Sequence, residues 1–504
     1  MSALDYAVLT AYLAGTLGLG FWCLRRNRDP DSFMLARGRL GGWVVGLSIF
    51  GTYVSSISFL AVPGKAFIGN WNPFVFSLTL PLVARLGAEI FVPFYRQLGQ
   101  VSAYEHIEER FGTWARLYMS ICFMLMQVAR TGSVMFLIAV VMQQWLNWDM
   151  VTIILATGLL TTLYTCIGGL EGVVLTDALQ SAVLIAGAVL CAVWVPLSMP
   201  DGPAQILEIA ARDDKFSLGE WGFDLSEPTV WVVLVYSLTV NLKGVSINQS
   251  YTQRYLAAKT EREAKKSVWF GSLLYIPTSA CFFFIGTSLY CYYTVQPDLL
   301  PTELASEWRD GKGDSIFPYF IMTELPTGVR GVMVAAILAA AMSTISSSLN
   351  SSATLTLTDV YLRLLRRAPD ERQSMWVLYG ATILWGVAGT GLAIAMMHVK
   401  SVLDSWWEMS GVVSGGMLGL FLLSFLGRQV GRRGAMSGVI AGVIVIGWLT
   451  FSPDAEFLPE PFRNPLHPFL TVVLGTLAIT VSGFLAALAF RETSLRSKDT
   501  SPSD

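Results

Sequence analysis

Ser343-Thr344-Ile345-Ser346-Ser347-Ser348-Leu349-Asn350-Ser351-Ser352 is a hydroxyl-rich run set inside an otherwise apolar stretch, and how it is read decides the fold. At helical spacing Ser343, Ser346, Ser347 and Asn350 fall on one stripe. Hydrocarbon offers such groups no partner, so in a membrane they must face protein, water or a bound ion. Hydroxyls and free carbonyls are hard oxygen donors, suited to a hard cation rather than to zinc or copper. The stripe is therefore the first candidate for a functional site.

The rest of the chain supplies the membrane. Of its 504 residues 53% are hydrophobic and only 14% charged, with a mean hydropathy of +0.54. That is an integral membrane composition, and repeated apolar stretches of about 20 residues support it. The net charge of −2, with no basic patch carrying interleaved aromatics, gives no sign of a nucleic-acid partner. The six cysteines lie mostly in apolar segments without ligand spacing, and the three histidines are scattered, so neither a disulfide framework nor a His/Cys metal site is expected. GxxxxGK[ST], HExxH and GxSxG do not occur, which removes the simple arguments for an ATPase, a metalloprotease or a serine hydrolase.

Thirteen spans are predicted, at about 4–24, 41–69, 71–96, 114–146, 149–167, 173–198, 229–251, 267–295, 329–361, 373–398, 402–427, 433–451 and 467–490. The opening residues carry Asp5 and no basic region, which fits an uncleaved first span with its N-terminus outside. With that start, 23 of the 34 Lys and Arg fall in inside segments and 7 in outside ones, the bias expected of the correct orientation. Two polar connections, 199–228 and 296–328, lie outside. The charged, Ser-rich tail 491–504 is expected to be cytoplasmic and disordered.

Three further features carry candidate chemistry. The second span holds Gly51-Thr52-Tyr53-Val54-Ser55-Ser56-Ile57-Ser58 near its middle, where a helix could unwind and free its carbonyls for a cation. Close packing through small residues is the alternative. Asp177 lies inside its span, where an ionised carboxylate costs roughly 2.5–3.5 kcal/mol and needs a cation or hydrogen bonds. A hydroxyl-capped packing residue is the other reading. Arg130 sits some sixteen residues into a long span; its planar fork fits a carboxylate, while a pair with an internal acid or snorkelling would make it structural. Lys243 and Arg85 read as structural or interfacial, and the basic cluster from Arg254 to Lys266 as a solvated inside loop.

Together these pieces resemble the sodium:solute symporter family. The resemblance is carried by Gly168-Gly169-Leu170 with Val174-Leu175-Thr176-Asp177-Ala178-Leu179-Gln180, by Gln253-Arg254-Tyr255-Leu256-Ala257-Ala258-Lys259, and by Leu338-Ala339-Ala340-Ala341-Met342-Ser343-Thr344 with Thr358-Asp359-Val360-Tyr361. Tyr104-Glu105 and Arg110-Phe111-Gly112 fit the family's inside loop. The resemblance implies an all-α membrane protein of the leucine-transporter type. Residues 1–490 would form one transporter domain, with inverted five-helix repeats at about 41–198 and 229–427, one extra span before and two after. It implies a first sodium site from the carbonyls of Gly51, Val54 and Ala340 with the hydroxyls of Ser343 and Thr344. A second would use Asp177 with Ser343, Ser346 and Ser347. Sodium is then the coupling ion, and no organic cofactor is expected.

The chain is most similar to the bacterial sialic acid symporters of that family, which implies a multi-pass bacterial inner-membrane monomer in lipid, with a small anionic solute as cargo. The matching substrate positions are Tyr53, Ser55, Ser58, Ser77 and Arg130. Tyr53 stands where a Thr is expected and Ser77 where a sugar-binding Gln is expected, so the carboxylate grip is better matched than the sugar grip. The rival readings are a symporter of the same fold for a neutral sugar, amino acid or vitamin, and a ligand-sensing membrane protein or channel.

Overall fold

The computed structural model describes residues 1–365, 370–398, 402–426, 429–453, 455 and 458–490; the predicted tail 491–504 lies outside them. The described chain is helical, and ten of its helices are long and apolar enough to cross a membrane. The first, α1, is Ala3–Leu24. The second span is a bent pair, α2 Gly42–Tyr53 and α3 Ser56–Ile68, meeting at 54°. Then come α4 Asn72–Leu98, α5 Thr113–Leu146 and α6 Met150–Leu197. The second half begins with α7 Val230–Ile247, α8 Gln249–Ala257 and α9 Glu261–Val295. It continues with α10 Val329–Leu355, α11 Glu371–Ala395 and α12 Val402–Leu426, and closes with α13 Arg432–Phe451 and α14 Leu470–Ala489.

Helix α6 differs from its prediction in form. Its 48 residues would reach roughly 72 Å if straight, more than twice the hydrocarbon core. Gly169 divides it at φ 54 and ψ −155, a backbone that a side chain would strain, so the predicted fifth and sixth spans meet at one residue rather than across a loop.

The central element is α10. Every residue from Met333 to Leu355 is buried, so its hydroxyls must all be satisfied by other helices or by its own turns. Ser348 donates to Gln127 Oε1 at 2.7 Å on α5, and Ser250 donates to Ser351 Oγ at 3.0 Å from α8. Two spans packed around α10 are broken. In the α2–α3 pair Val54 and Ser55 are extended, and the Ser55 side chain caps α3 by accepting from the Ser58 amide at 3.4 Å. The predicted seventh span, 229–251, is broken as well. Asn248 leaves the helical region at φ −78 and ψ 116, and its side chain caps α8 by accepting from the Ser250 amide at 2.9 Å.

Candidate functional site

The break in α2–α3 brings its backbone against α10. Ser343 Oγ donates to the Gly51 carbonyl at 3.1 Å, and Thr344 Oγ1 to the Ala340 carbonyl at 3.1 Å. Gly51 is required there: a Cβ would sit 2.8 Å from Ser343 Oγ and 2.9 Å from Ser181 Oγ. Val54 lies in the break, 1% exposed. Of the set expected for a first sodium, the structure brings Gly51 and Ser343 into direct contact, leaves Val54 in the extended break after α2, and turns Thr344 onto the Ala340 carbonyl of its own helix.

The second set gathers around Asp177, which is 0% exposed. Its Oδ2 accepts from Ser48 Oγ at 2.6 Å, from Arg254 Nη2 at 2.8 Å and from Ser347 Oγ at 3.4 Å. Its Oδ1 is buried and has no hydrogen-bond partner among the described residues. Ser346 Oγ turns back to the Ser343 carbonyl at 3.1 Å. An orphaned carboxylate oxygen beside a stripe of hydroxyls fits a small hard cation. One turn beyond Asp177, both amide atoms of Gln180 are buried without hydrogen-bond partners among the described residues.

Arg254 corrects the sequence reading. The solvated loop expected for it is in fact the helix α8, which turns back into the protein and leaves Arg254 only 1% exposed. Its guanidinium donates to Asp177, to Ser48 Oγ at 2.8 Å, to Ser347 Oγ at 2.6 Å and to the Ser250 carbonyl at 2.6 Å. The end of α8 is pinned by Leu40, whose amide donates to the Ala257 carbonyl at 3.0 Å and whose carbonyl accepts from the Lys259 amide at 2.9 Å. The missed signal was Asp177 itself, a buried charge that lacked a cation in its own span.

The third set surrounds Arg130, midway along α5. Its Nη2 donates to the Thr52 carbonyl at 2.8 Å, the last turn of α2. Among the described residues no carboxylate is paired with it. Tyr53 packs edge-on against Tyr251 at 5.3 Å and tilts against Tyr275 at 5.7 Å, and its hydroxyl is buried with no hydrogen bond to the described residues. Ser55 and Ser58 occupy the first turn of α3, whose positive dipole end favours an anionic group. Ser77 is 1% exposed and closed against Ser279, Oγ to Oγ at 2.9 Å. The structure therefore brings Tyr53, Ser55 and Ser58 to the break that Arg130 touches, while Ser77 is engaged with α9.

Known proteins share this fold. The model of the sodium:solute symporter family matches residues 33–442. The sodium/sialic acid symporter SiaT of Proteus mirabilis is 31% identical, over 99% of this chain and 98% of its own. The sodium/sialic acid symporter NanT of Aliivibrio fischeri is 29% identical, over 97% and 94%. A solved structure of a Na+-coupled sialic acid symporter, substrate-bound and outward-open, superposes with a TM-score of 0.90 at 30% identity, covering 98% of this chain and 99% of that one. The fold extends to Mhp1, a nucleobase-cation-symport-1 transporter, at a TM-score of 0.58 and 15% identity, over 94% and 98%. With its broken helices and oxygen-lined centre, this chain belongs to the sodium:solute symporter family and is a sodium-coupled secondary active transporter, not an enzyme.

Proposed function

We propose that the chain imports a small carboxylate-bearing solute, with sialic acid (N-acetylneuraminate) the first candidate, together with two sodium ions by alternating access. The observation that carries the reading is Arg130, a guanidinium midway along a membrane span that is bonded to the Thr52 carbonyl at the α2–α3 break, with no carboxylate paired to it among the described residues. A planar cation held that way is open to a bidentate carboxylate. The named relatives, which carry sialic acid, support the choice of substrate.

In this reading Gly51, Val54, Ala340, Ser343 and Thr344 hold the first sodium, and Asp177, Ser343, Ser346 and Ser347 the second. Ser343 is shared, which ties both ions to the α2–α3 break. The solute is held by Arg130, Tyr53, Ser55 and Ser58, with Ser77 behind them. Sodium stiffens the break against α10, substrate closes the pocket, and the repeats at about 41–198 and 229–427 rock to release both inside.

Two ions make sense for an anion. A tenfold sodium gradient supplies about 1.4 kcal/mol per ion, and 100 mV about 2.3 more per charge. Moving a monoanion inward costs about 2.3, so one sodium leaves about 1.4 kcal/mol, or tenfold accumulation, while two leave roughly 5, or thousands-fold. The Lys and Arg bias supports a bacterial inner-membrane orientation with the N-terminus outside and the C-terminus in the cytoplasm. A monomer in lipid suffices, because both ion sets and Arg130 lie within one chain.

The test is uptake of radiolabelled N-acetylneuraminate into proteoliposomes with and without an inward sodium gradient. Sodium-dependent accumulation is expected. Equal uptake without sodium would refute the coupling, and accumulation of neutral solutes only would refute the carboxylate.

A further inference from the structure

Lys243 is a charged residue in a span that the proposed sites do not use. It lies on α7, a little over a turn before the break at Asn248, and its side chain points between α5 and α12. Its Nζ donates to Ser414 Oγ at 2.6 Å and sits 4.0 Å from Met126 Sδ, with Ser414 Oγ also 3.5 Å from that sulfur. An ammonium carries three donors, and one hydroxyl and a thioether leave it poorly satisfied.

Met126 is one helical turn before Arg130, so the ammonium and the guanidinium border the same stretch of α5. Arg130 is also the charged neighbour of Lys243. Both side chains are half-buried. No carboxylate pairs with either among the described residues. The buried acid at the centre, Asp177, is already bonded by Arg254. The centre thus holds two uncompensated positive charges, and sodium ions would add more. Each ionised side chain inside a span is costly unless something neutralises it. A single carboxylate cancels one charge of the two.

We propose that Lys243 is a substrate-contacting, specificity-determining residue that receives a second anionic group where the cargo carries one, so that a dianionic acid binds more tightly than its matching monoanion. The second group is a carboxylate, sulfate or phosphate lying about one helical turn from the carboxylate on Arg130. This rests on the carboxylate reading of Arg130. Arg130 sets the requirement for an acid, and Lys243 ranks acids by their second charge.

The experiment measures affinities at saturating sodium by isothermal titration calorimetry on the purified full chain. The probes are matched pairs: glucuronate against glucarate, and N-acetylneuraminate against its sulfated and phosphorylated derivatives. In the wild type the dianion of at least one pair is expected to bind about tenfold or more tightly than its monoanion. Lys243→Gln should collapse that ratio toward one, and Lys243→Arg should restore most of it. Sodium binding, measured on the same samples, reports that each variant is folded.

A wild type with no preference for any dianion overturns the proposal, as does a Lys243→Gln variant that keeps the preference or loses both partners of a pair equally. Arg130→Gln separates the two readings. If it weakens monoanions and dianions alike, the carboxylate anchor stands whatever Lys243 does. If it leaves both intact, the anchor falls and the proposal falls with it.

Discussion

Two arginines lie deep in this protein and are held in opposite ways. Arg254 is closed: a carboxylate, two serine hydroxyls and a carbonyl take its donors at 2.6–2.8 Å. Arg130 is open: among the described residues the Thr52 carbonyl is its hydrogen-bond partner, no carboxylate pairs with it, and its side chain is only half-buried. A buried cation that brings its own anion is part of the scaffold or of an ion site. A cation without one is waiting for charge from outside. The same physical requirement, that charge in low dielectric must be neutralised, therefore separates the coupling machinery from the cargo site.

The comparison is broken most forcefully at Asp177. Replacing it with Ala strands the Arg254 guanidinium, which should cost about 3–5 kcal/mol and lower the unfolding temperature in detergent. The sodium dependence of uptake should fall from cooperative toward first order. Asp177→Ala combined with Arg254→Met should recover most of the stability without the second ion. Recovered cooperativity in that double variant would show that the pair is scaffold alone.

Arg130→Gln is the converse case. Removing an uncompensated charge costs the fold little, so the unfolding temperature should hold or rise. Affinity for acidic solutes should weaken by about 1.5–3 kcal/mol, roughly ten- to a hundredfold, the worth of a hydrogen bond to a charged group. A large loss of stability with an unchanged competition profile would make Arg130 structural.

A smaller effect is expected where the first sodium would sit. Gly51→Ala presses a methyl group against Ser343 Oγ and Ser181 Oγ, at about 1–3 kcal/mol, and should raise the sodium concentration for half-maximal uptake more than the substrate concentration. An equal rise in both would mean that the break acts as a single unit on ion and cargo.

How much of this could be read in the residues depends on contrast. Ser343, Ser346, Ser347, Asp177 and Arg130 stand out because polar groups in apolar spans have no bland surroundings to hide in. The break in the second span was legible too, because Gly51 and the serines after it compete with the helix. Arg254 was not: it precedes Lys259, Arg262, Lys265 and Lys266, and a run of basic residues after a span reads as an inside loop. Only the return of α8 into the core, pinned through Leu40, separates it from that run. The break at Asn248 was equally hidden, since no Gly or Pro adjoins it and a cap of one Asn side chain is a weak local signal.

Lys215 offers a third way of holding a cation and the smallest expected effect. It lies in the outside connection, 5% exposed, with its ammonium donating to the carbonyls of Phe67, Ile68 and Gly69 at 2.8, 3.2 and 2.9 Å. Those carbonyls end α3, the outer half of the broken span, and the Tyr290 ring lies 3.7 Å away. Dipoles and a ring face stand where Arg254 has a carboxylate, and they do not fully replace water: burial pulls the Lys215 pKa down to about 8. Between about pH 8 and the ordinary lysine value near 10.4 the unfolded chain therefore holds the proton more tightly than the folded one. Stability should rise with pH across that window and be flat in this respect below it. Thermal unfolding of the wild type and Lys215→Met between pH 7 and 10 isolates the contribution, because every other titrating group is common to both. A difference between them that grows with pH in favour of the wild type is expected. The opposite slope would mean that three carbonyls and a ring suffice to hold a full charge, and that Arg130 needs its cargo less than the comparison with Arg254 implies.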